Sequence, residues 1–319
     1  METGSFIEMQ FPRGKEYYKG DRDIARLNSG RAALLHAFRC TGCRAVWLPY
    51  YQCDCVRDTF LRNGCEVKYY RIDDRFDPID PAPAADEAVL LVNYYGVMSH
   101  ERMRSLAASF AHPLIDNSQA FFAKPVEGAY NVCSARKFVG APDGAYVLGP
   151  GAERRCNGYE RSFSSDTASY LLERIEYGCE GRAYAARIRN EERIEREGVM
   201  RMSKLTRAIL DGTDYGEIVR KRRENFAYAH SLFRDVNRLD PLRYYADDCA
   251  PMVYPLLIED DGLLGRLLAH KHFQGHWWSY LLDEMPEDSF EYYLSRYIVP
   301  VTIDQRYGRE ELDFIRSVV

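Results

Sequence analysis

Short apolar runs alternate with stretches of helical spacing through the first half of the chain. Residues 24–38 carry apolar positions at helical intervals and predict a first helix. Ala45-Val46-Trp47-Leu48 reads as a buried strand ending at Pro49, with a helix over 55–63 and a strand over 66–72 behind it. Pro78, Pro81 and Pro83 predict a loop. Val89-Leu90-Leu91-Val92 is apolar throughout, the mark of a strand covered on both faces. A helix over 101–110, a strand at Leu114-Ile115 and strands over 129–132 and 145–148 complete this half. Such alternation predicts an α/β fold: a mostly parallel sheet of the seven-stranded type with helices on both faces.

The character changes beyond residue 165. Long, charge-rich helices are expected to about residue 210, with Leu171, Leu172, Ile175, Tyr184, Ile188 and Leu205 as an apolar stripe. Asp211-Gly212-Thr213-Asp214 punctuates, and a helix over 218–236 follows. Beyond Pro241 the pattern is strand (251–258), helix (263–270), strand (297–300) and closing helix (309–318). The expected division is a large domain over 1–210 and a smaller C-terminal α+β domain over 211–319.

Composition narrows the function. The 319 residues carry a net charge of −5, which argues against a nucleic-acid surface. No apolar run reaches the ~18–20 residues that span a bilayer, and no apolar segment of signal-peptide type follows residues 1–5. Nine cysteines, an odd number, are expected to be reduced thiols in a cytoplasmic protein. Cys40-x-x-Cys43 and Cys53-x-Cys55 have the flavour of zinc ligands, but the five-residue strand between them spans roughly 16 Å, too far for one tetrahedral ion. His270, His272 and His276 lack a carboxylate cluster beside them, so no metal site is expected there either.

The candidate chemistry lies at the predicted strand ends. Asp116-Asn117-Ser118-Gln119 follows one strand, and Ser134-Ala135-Arg136-Lys137 follows the next. Pyridoxal phosphate (PLP) needs these groups: an acid for its ring nitrogen, a hydrogen bond to its phenolic oxygen and an amine for its aldehyde carbon. Ser29, Gly30 and Arg31 open a helix, where free N–H groups and the helix dipole receive a phosphate. Ser134 is the expected second phosphate ligand. Pro49-Tyr50-Tyr51 offers an aromatic lid for the ring, either tyrosine being able to stack and Tyr51 being favoured. Asn93, in Asn93-Tyr94-Tyr95-Gly96, is a candidate cofactor ligand and Tyr95 a candidate substrate contact. Arg306 is a candidate for a substrate carboxylate, which a guanidinium binds bidentately.

The order of these segments resembles the DegT-type sugar aminotransferases, fold-type I PLP enzymes. The resemblance rests on Ser29-Gly30-Arg31-Ala32-Ala33-Leu34, Leu48-Pro49-Tyr50-Tyr51, Asn93-Tyr94-Tyr95-Gly96, Asp116-Asn117-Ser118-Gln119, the run 134–145 and the late run 299–307. It implies that Lys137 forms the Schiff base with PLP, that Asp116 pairs with the ring nitrogen and that Gln119 lies near the phenolic oxygen. Ser29, Gly30 and Ser134 would hold phosphate, and the enzyme would be a homodimer. The implied activity moves an amino group from an amino acid such as glutamate to a keto sugar or related carbonyl compound. Elimination or decarboxylation on the same scaffold, and a non-enzymatic regulatory role, are the alternatives. The glycine-rich segment that a partner subunit lends to the site in that family is not recognisable after Gly151, where 161–165 reads Arg-Ser-Phe-Ser-Ser. The lysine that the family's dehydratase branch replaces is present.

Overall fold

Alternation along two central strands shows how the sheet is covered. In β5 (Glu87–Val92), Ala88 and Leu90 face one layer of helices while Val89 and Leu91 face the other; in β6 (Pro113–Asn117), Leu114 and Ile115 divide in the same way. A computed structural model describes residues 3–20, 23–273, 275 and 277–319 of the chain; Met1, Glu2, Asp21, Arg22, Gln274 and His276 lie outside the described residues.

The main sheet has eight strands. The other six are β1 (Ile24–Leu27), β2 (Ala45–Pro49), β3 (Glu66–Ile72), β4 (Pro78–Ile79), β7 (Tyr130–Ser134) and β8 (Ala145–Leu148). Their order is β1-β8-β7-β6-β5-β2-β3-β4. The pairs β2–β3, β2–β5, β5–β6 and β6–β7 are parallel, whereas β1–β8, β7–β8 and β3–β4 are antiparallel. Apart from the two-residue β4 at the edge, this is the expected mostly parallel sheet of seven strands. The winding reverses between β2 and β5, and ligands of such sheets bind outside the carboxyl ends of strands at that reversal.

Helices α1 (Gly30–Thr41) and α2 (Asp54–Arg62) cover one face, packing Ala33, Leu34, Phe38, Val56 and Phe60 against Val46, Leu48, Leu90 and Leu114. The opposite face packs against α3 (His100–Ala107) and the C-terminal part of the chain. Between them in sequence run α4 (Ala152–Cys156), α5 (Ser169–Tyr177), α6 (Gly181–Glu197), α7 (Lys204–Asp211) and α8 (Tyr215–Phe233). The C-terminal part pairs β9 (Val253–Leu257) with β10 (Ile298–Thr302) antiparallel, flanked by α9 (Leu263–Ala269), α10 (Leu281–Glu284), α11 (Phe290–Tyr297) and α12 (Arg309–Val318). No described helix is long and apolar enough to cross a membrane.

Two expectations are corrected. Residues 24–38 are not one helix: Ile24–Leu27 pairs with β8, and Ser29, in extended conformation, caps α1 by accepting the Ala32 N–H at 3.2 Å. The cap fixes where the helix begins, and the four residues before it alternate as a strand. The apolar stripe over 171–205 faces outward at Leu172, Ile175, Tyr184 and Ile188 instead of burying a helix face in this chain.

Candidate active site

Asp116 is the penultimate residue of β6, one strand from the winding reversal, and is almost fully buried. Its Oδ1 accepts the Ser118 N–H at 2.8 Å and its Oδ2 accepts Gln52 Nε2–H at 2.9 Å. A carboxylate offers about four lone-pair sites, so there is room for a further donor. Gln52 reaches across from the end of β2, and its own Oε1 is buried with no partner among the described residues. A buried amide oxygen without a partner costs roughly 1–3 kcal/mol. The sequence reading missed Gln52; its signal was its place, three residues past Pro49 at a strand's carboxyl end.

Three segments meet at the start of α1. A Cβ on Gly30 would stand 3.1 Å from Ser118 Oγ and 3.5 Å from Ser134 Cβ. Glycine is therefore needed for space here, not for its dihedral freedom, because Gly30 is not among the residues with positive φ. The result is a cradle of two hydroxyls facing the amino end of a twelve-residue helix, whose unpaired N–H groups and dipole suit an anion. Ser29 and Ser134 are both buried at its edge. Ser118 is a member that the sequence reading did not single out. Arg31, half-buried, adds its positive charge nearby, acting on Cys55 and Glu195.

Lys137 closes a single tight turn, Ala135–Lys137, directly after β7. Its side chain is exposed and forms no hydrogen bond or ion pair among the described residues. The backbone beneath it is held firmly. Arg222, 2% exposed, lies 4.4 Å over the Phe138 ring and donates from Nη1 to the carbonyls of Pro251 and Met252 at 3.0 and 2.9 Å. Its Nη2 reaches the Lys137 carbonyl at 3.5 Å, and Gln305 Nε2 donates to the Phe138 carbonyl at 2.9 Å. Burial pushes the Arg222 guanidinium down to about 10, which still leaves it cationic at neutral pH. The lysine turn is thus clamped while its amine stays free.

Gln119 accepts the Tyr95 N–H on Oε1 at 2.6 Å, and its amide nitrogen has no partner among the described residues. The turn it braces has positive φ at both Tyr95 and Gly96, and a Cβ on Gly96 would fall 2.3 Å from the Gln119 carbonyl oxygen. The other candidates lie elsewhere than expected. Tyr51 is fully buried: its ring meets Trp278 edge-on at 4.5 Å and its hydroxyl pairs with that of Tyr95 at 2.8 Å. The chain turns after Pro49 so that Gln52, not Tyr51, points at Asp116. Tyr50 stacks on Tyr69 at 5.0 Å. Tyr95 is equally enclosed, stacked on Trp277 at 5.4 Å. Asn93 spends both ends of its amide on Met98 and Asn117, so it organises the turn. Arg306 sits one residue from Gln305, close to the lysine turn, but two of its nitrogens are bonded to Asp304 at 2.8 and 2.7 Å. His270 and His272 pack on Phe314.

No family model matches the chain, and no curated protein matches it. Solved structures do. The sugar aminotransferase CalS13 from Micromonospora echinospora superposes with a TM-score of 0.64 at 16% identity, over 92% of this chain and 86% of that one. A DegT DnrJ EryC1 StrS aminotransferase from Brucella abortus gives 0.61 at 15% identity, over 92% and 84%. The E. coli GDP-4-keto-6-deoxy-D-mannose-3-dehydratase with bound hydrated PLP gives 0.59 at 15% identity, over 93% and 87%. With its eight-stranded, mostly parallel sheet, the chain has the fold that these sugar aminotransferases and this PLP-bound sugar dehydratase share.

Proposed function

We propose that this protein is a PLP-dependent aminotransferase that carries an amino group from an amino acid such as glutamate to a keto sugar or related carbonyl compound. The observation that carries the reading is a buried carboxylate with lone pairs left for a donor, an anion cradle and an unpartnered lysine gathered at the carboxyl ends of the adjacent strands β6 and β7. The residues present fit the cofactor. Glycine at position 30 lets the Ser118 and Ser134 hydroxyls close in on the start of α1, as a phosphate cradle requires, and the buried Gln52 oxygen beside Asp116 is left without a partner among the described residues. When bound, PLP supplies an electron-poor ring that draws charge from the substrate carbon.

The residues divide the work. Ser29, Gly30, Arg31, Ser118 and Ser134 bind the phosphate. Asp116, steadied by Gln52 and the Ser118 N–H, holds a proton on the ring nitrogen. Lys137 would provide the amine that anchors the cofactor, and its Nζ would move the proton at the substrate's α-carbon. Gln119, whose Oε1 accepts the Tyr95 N–H, would offer its amide N–H to the phenolic oxygen. Tyr51, Tyr95 and Asn93 support these groups from behind, and Arg306 has a single outer nitrogen left for a substrate carboxylate.

An exposed catalytic lysine needs a cover. Phe163, Leu172, Ile175, Tyr177 and Tyr184 are large apolar side chains left exposed within 163–184, and the reading includes a homodimer in which the second copy covers them and closes the site. The nine free thiols accord with a reducing cytoplasm, and the proposed units remain 1–210 and 211–319. A dehydratase among the superposed structures favours elimination as the second reading. Incubating PLP-loaded protein with a panel of L-amino acids separates the two. An aminotransferase releases one equivalent of keto acid and converts the cofactor to its amino form; release of no keto acid from any donor overturns the reading.

A further inference from the structure

Cysteines 53 and 55 belong to no step above, yet they stand at the mouth of the same site. Cys53 is the N-cap of α2 and Cys55 lies in its first turn. Their sulfurs lie 2.8 Å apart, either one able to donate to the other. Both are half-buried, and Cys53 borders a small cavity with Gln52, Arg57, Tyr69 and Tyr280. The Arg31 and Lys137 cations act on Cys55 from the facing side. Asp54 lies between the two thiols, its Oδ1 accepting the Cys55 N–H at 2.7 Å and standing 3.6 Å from the Cys53 sulfur.

We infer that Cys53 and Cys55 form a peroxide-oxidisable dithiol that closes reversibly into a disulfide at the edge of the candidate active site. The electrostatics assign the two sulfurs different roles. The hydrogen bond from Cys53, with the positive charges of Arg31 and Lys137, lowers the Cys55 thiol below its ordinary range, while Cys53 is pushed up. Thiolate at the amino end of a helix beside cations is the reactive form of cysteine. Burial raises the thiols of Cys40, Cys43, Cys65, Cys133, Cys156 and Cys249.

The chemistry closes with hydrogen peroxide as oxidant. Cys55 thiolate attacks one peroxide oxygen, the O–O bond breaks, and hydroxide leaves and takes a proton to become water. The sulfur is then a sulfenic acid. Cys53 sulfur attacks that sulfur, the S–O bond breaks, and the hydroxyl departs with the Cys53 proton as a second water. Two thiols lose two electrons, and one peroxide gains them. Gln52, the neighbour of Cys53, donates to Asp116, so the pair's oxidation state acts next to both the acid and the lysine of the site. The inference does not depend on PLP, because it rests on the thiols and the charges around them.

Cleavage by trypsin at Arg44 and Arg57 releases residues 45–57, which contain Cys53 and Cys55 and no other cysteine. The full chain, without added cofactor, is treated with one equivalent of hydrogen peroxide, alkylated and mapped. The expected result is a 45–57 peptide that has lost two hydrogens and resists alkylation, and that regains two alkylatable thiols after dithiothreitol. Cys53→Ser should halt the reaction at a sulfenic acid trapped by dimedone on Cys55, and Cys55→Ser should abolish oxidation of this peptide. Cys179→Ser should leave it unchanged. A 45–57 peptide that stays doubly alkylated while other cysteines oxidise, or a Cys53→Ser protein that forms no dimedone adduct at Cys55, overturns the inference.

Discussion

Replacing Gly30 with alanine separates cofactor binding from folding. The added methyl would sit 3.1 Å from Ser118 Oγ, whereas ordinary contact begins at 3.4 Å, so the cradle must open by 3.4 − 3.1 = 0.3 Å. The fold can absorb this. Gly30 is the first residue of α1, its φ is not positive, and alanine gains about 0.5–1 kcal/mol over glycine inside a helix, offsetting the contact. Net stability should change by less than about 1 kcal/mol. A phosphate has no such slack. The methyl displaces one charge-assisted hydrogen bond worth roughly 1.5–3 kcal/mol, a loss of about 10–100-fold in affinity at 1.4 kcal/mol per decade. The assay titrates wild type and Gly30→Ala with PLP and with pyridoxal, which lacks the phosphate, following the absorbance change, with thermal unfolding in parallel. Affinity for PLP should fall by that factor while affinity for pyridoxal holds and the melting temperature stays within a few degrees. Equal losses for both ligands, or no loss for PLP, would refute the cradle.

Asp116→Ala should keep the lysine adduct but lower turnover by roughly 10²–10⁴-fold, as for other single ionisable catalytic groups; steady-state kinetics with unchanged kcat would remove Asp116 from the reaction. His36 predicts a pH effect on stability. Burial foremost, with Arg155 and Arg39, holds its imidazole at about 4, Ala152 O and Tyr159 being its partners. Its folded pKa lies below the unfolded value, so its contribution is complete above about pH 6.5 and is lost as pH falls through about 4. By pH 5 the loss is about 2 kcal/mol. Urea midpoints at pH 7 and pH 5 should differ less in His36→Gln than in wild type, and equal differences would contradict the argument. Light scattering at micromolar concentration should give a dimer mass for wild type and a monomer mass for Ile175→Glu, a position 80% exposed in the single chain; a monomeric wild type would defeat the homodimer.

The alternation of β5 and β6 was legible because both faces of those strands are covered, which forces continuous apolar runs. The strand-end positions of Asp116, Ser134 and Lys137 were legible because the apolar runs before them stop there. Other features depend on contacts between segments far apart in sequence. Gln52 meets Asp116 only because β2 and β5 flank the winding reversal, and Ser118 joins the cradle only because α1 starts opposite it. Arg222 reaches the lysine turn from α8, 85 positions away. The direction of Tyr51 depends on the backbone turn after Pro49, which no periodicity encodes. The first strand was hidden because its four residues run straight into a capped helix whose apolar spacing overwrites theirs.

The identity of the covalent anchor tests the account most directly. The wild-type chain is incubated with PLP, reduced with borohydride, digested and mapped by mass. The account predicts one equivalent of pyridoxyl phosphate on Lys137. It predicts none at that position in Lys137→Ala, which should fold normally because the Lys137 side chain is exposed and unpartnered among the described residues. Label scattered over surface lysines, or absent from Lys137, would contradict it.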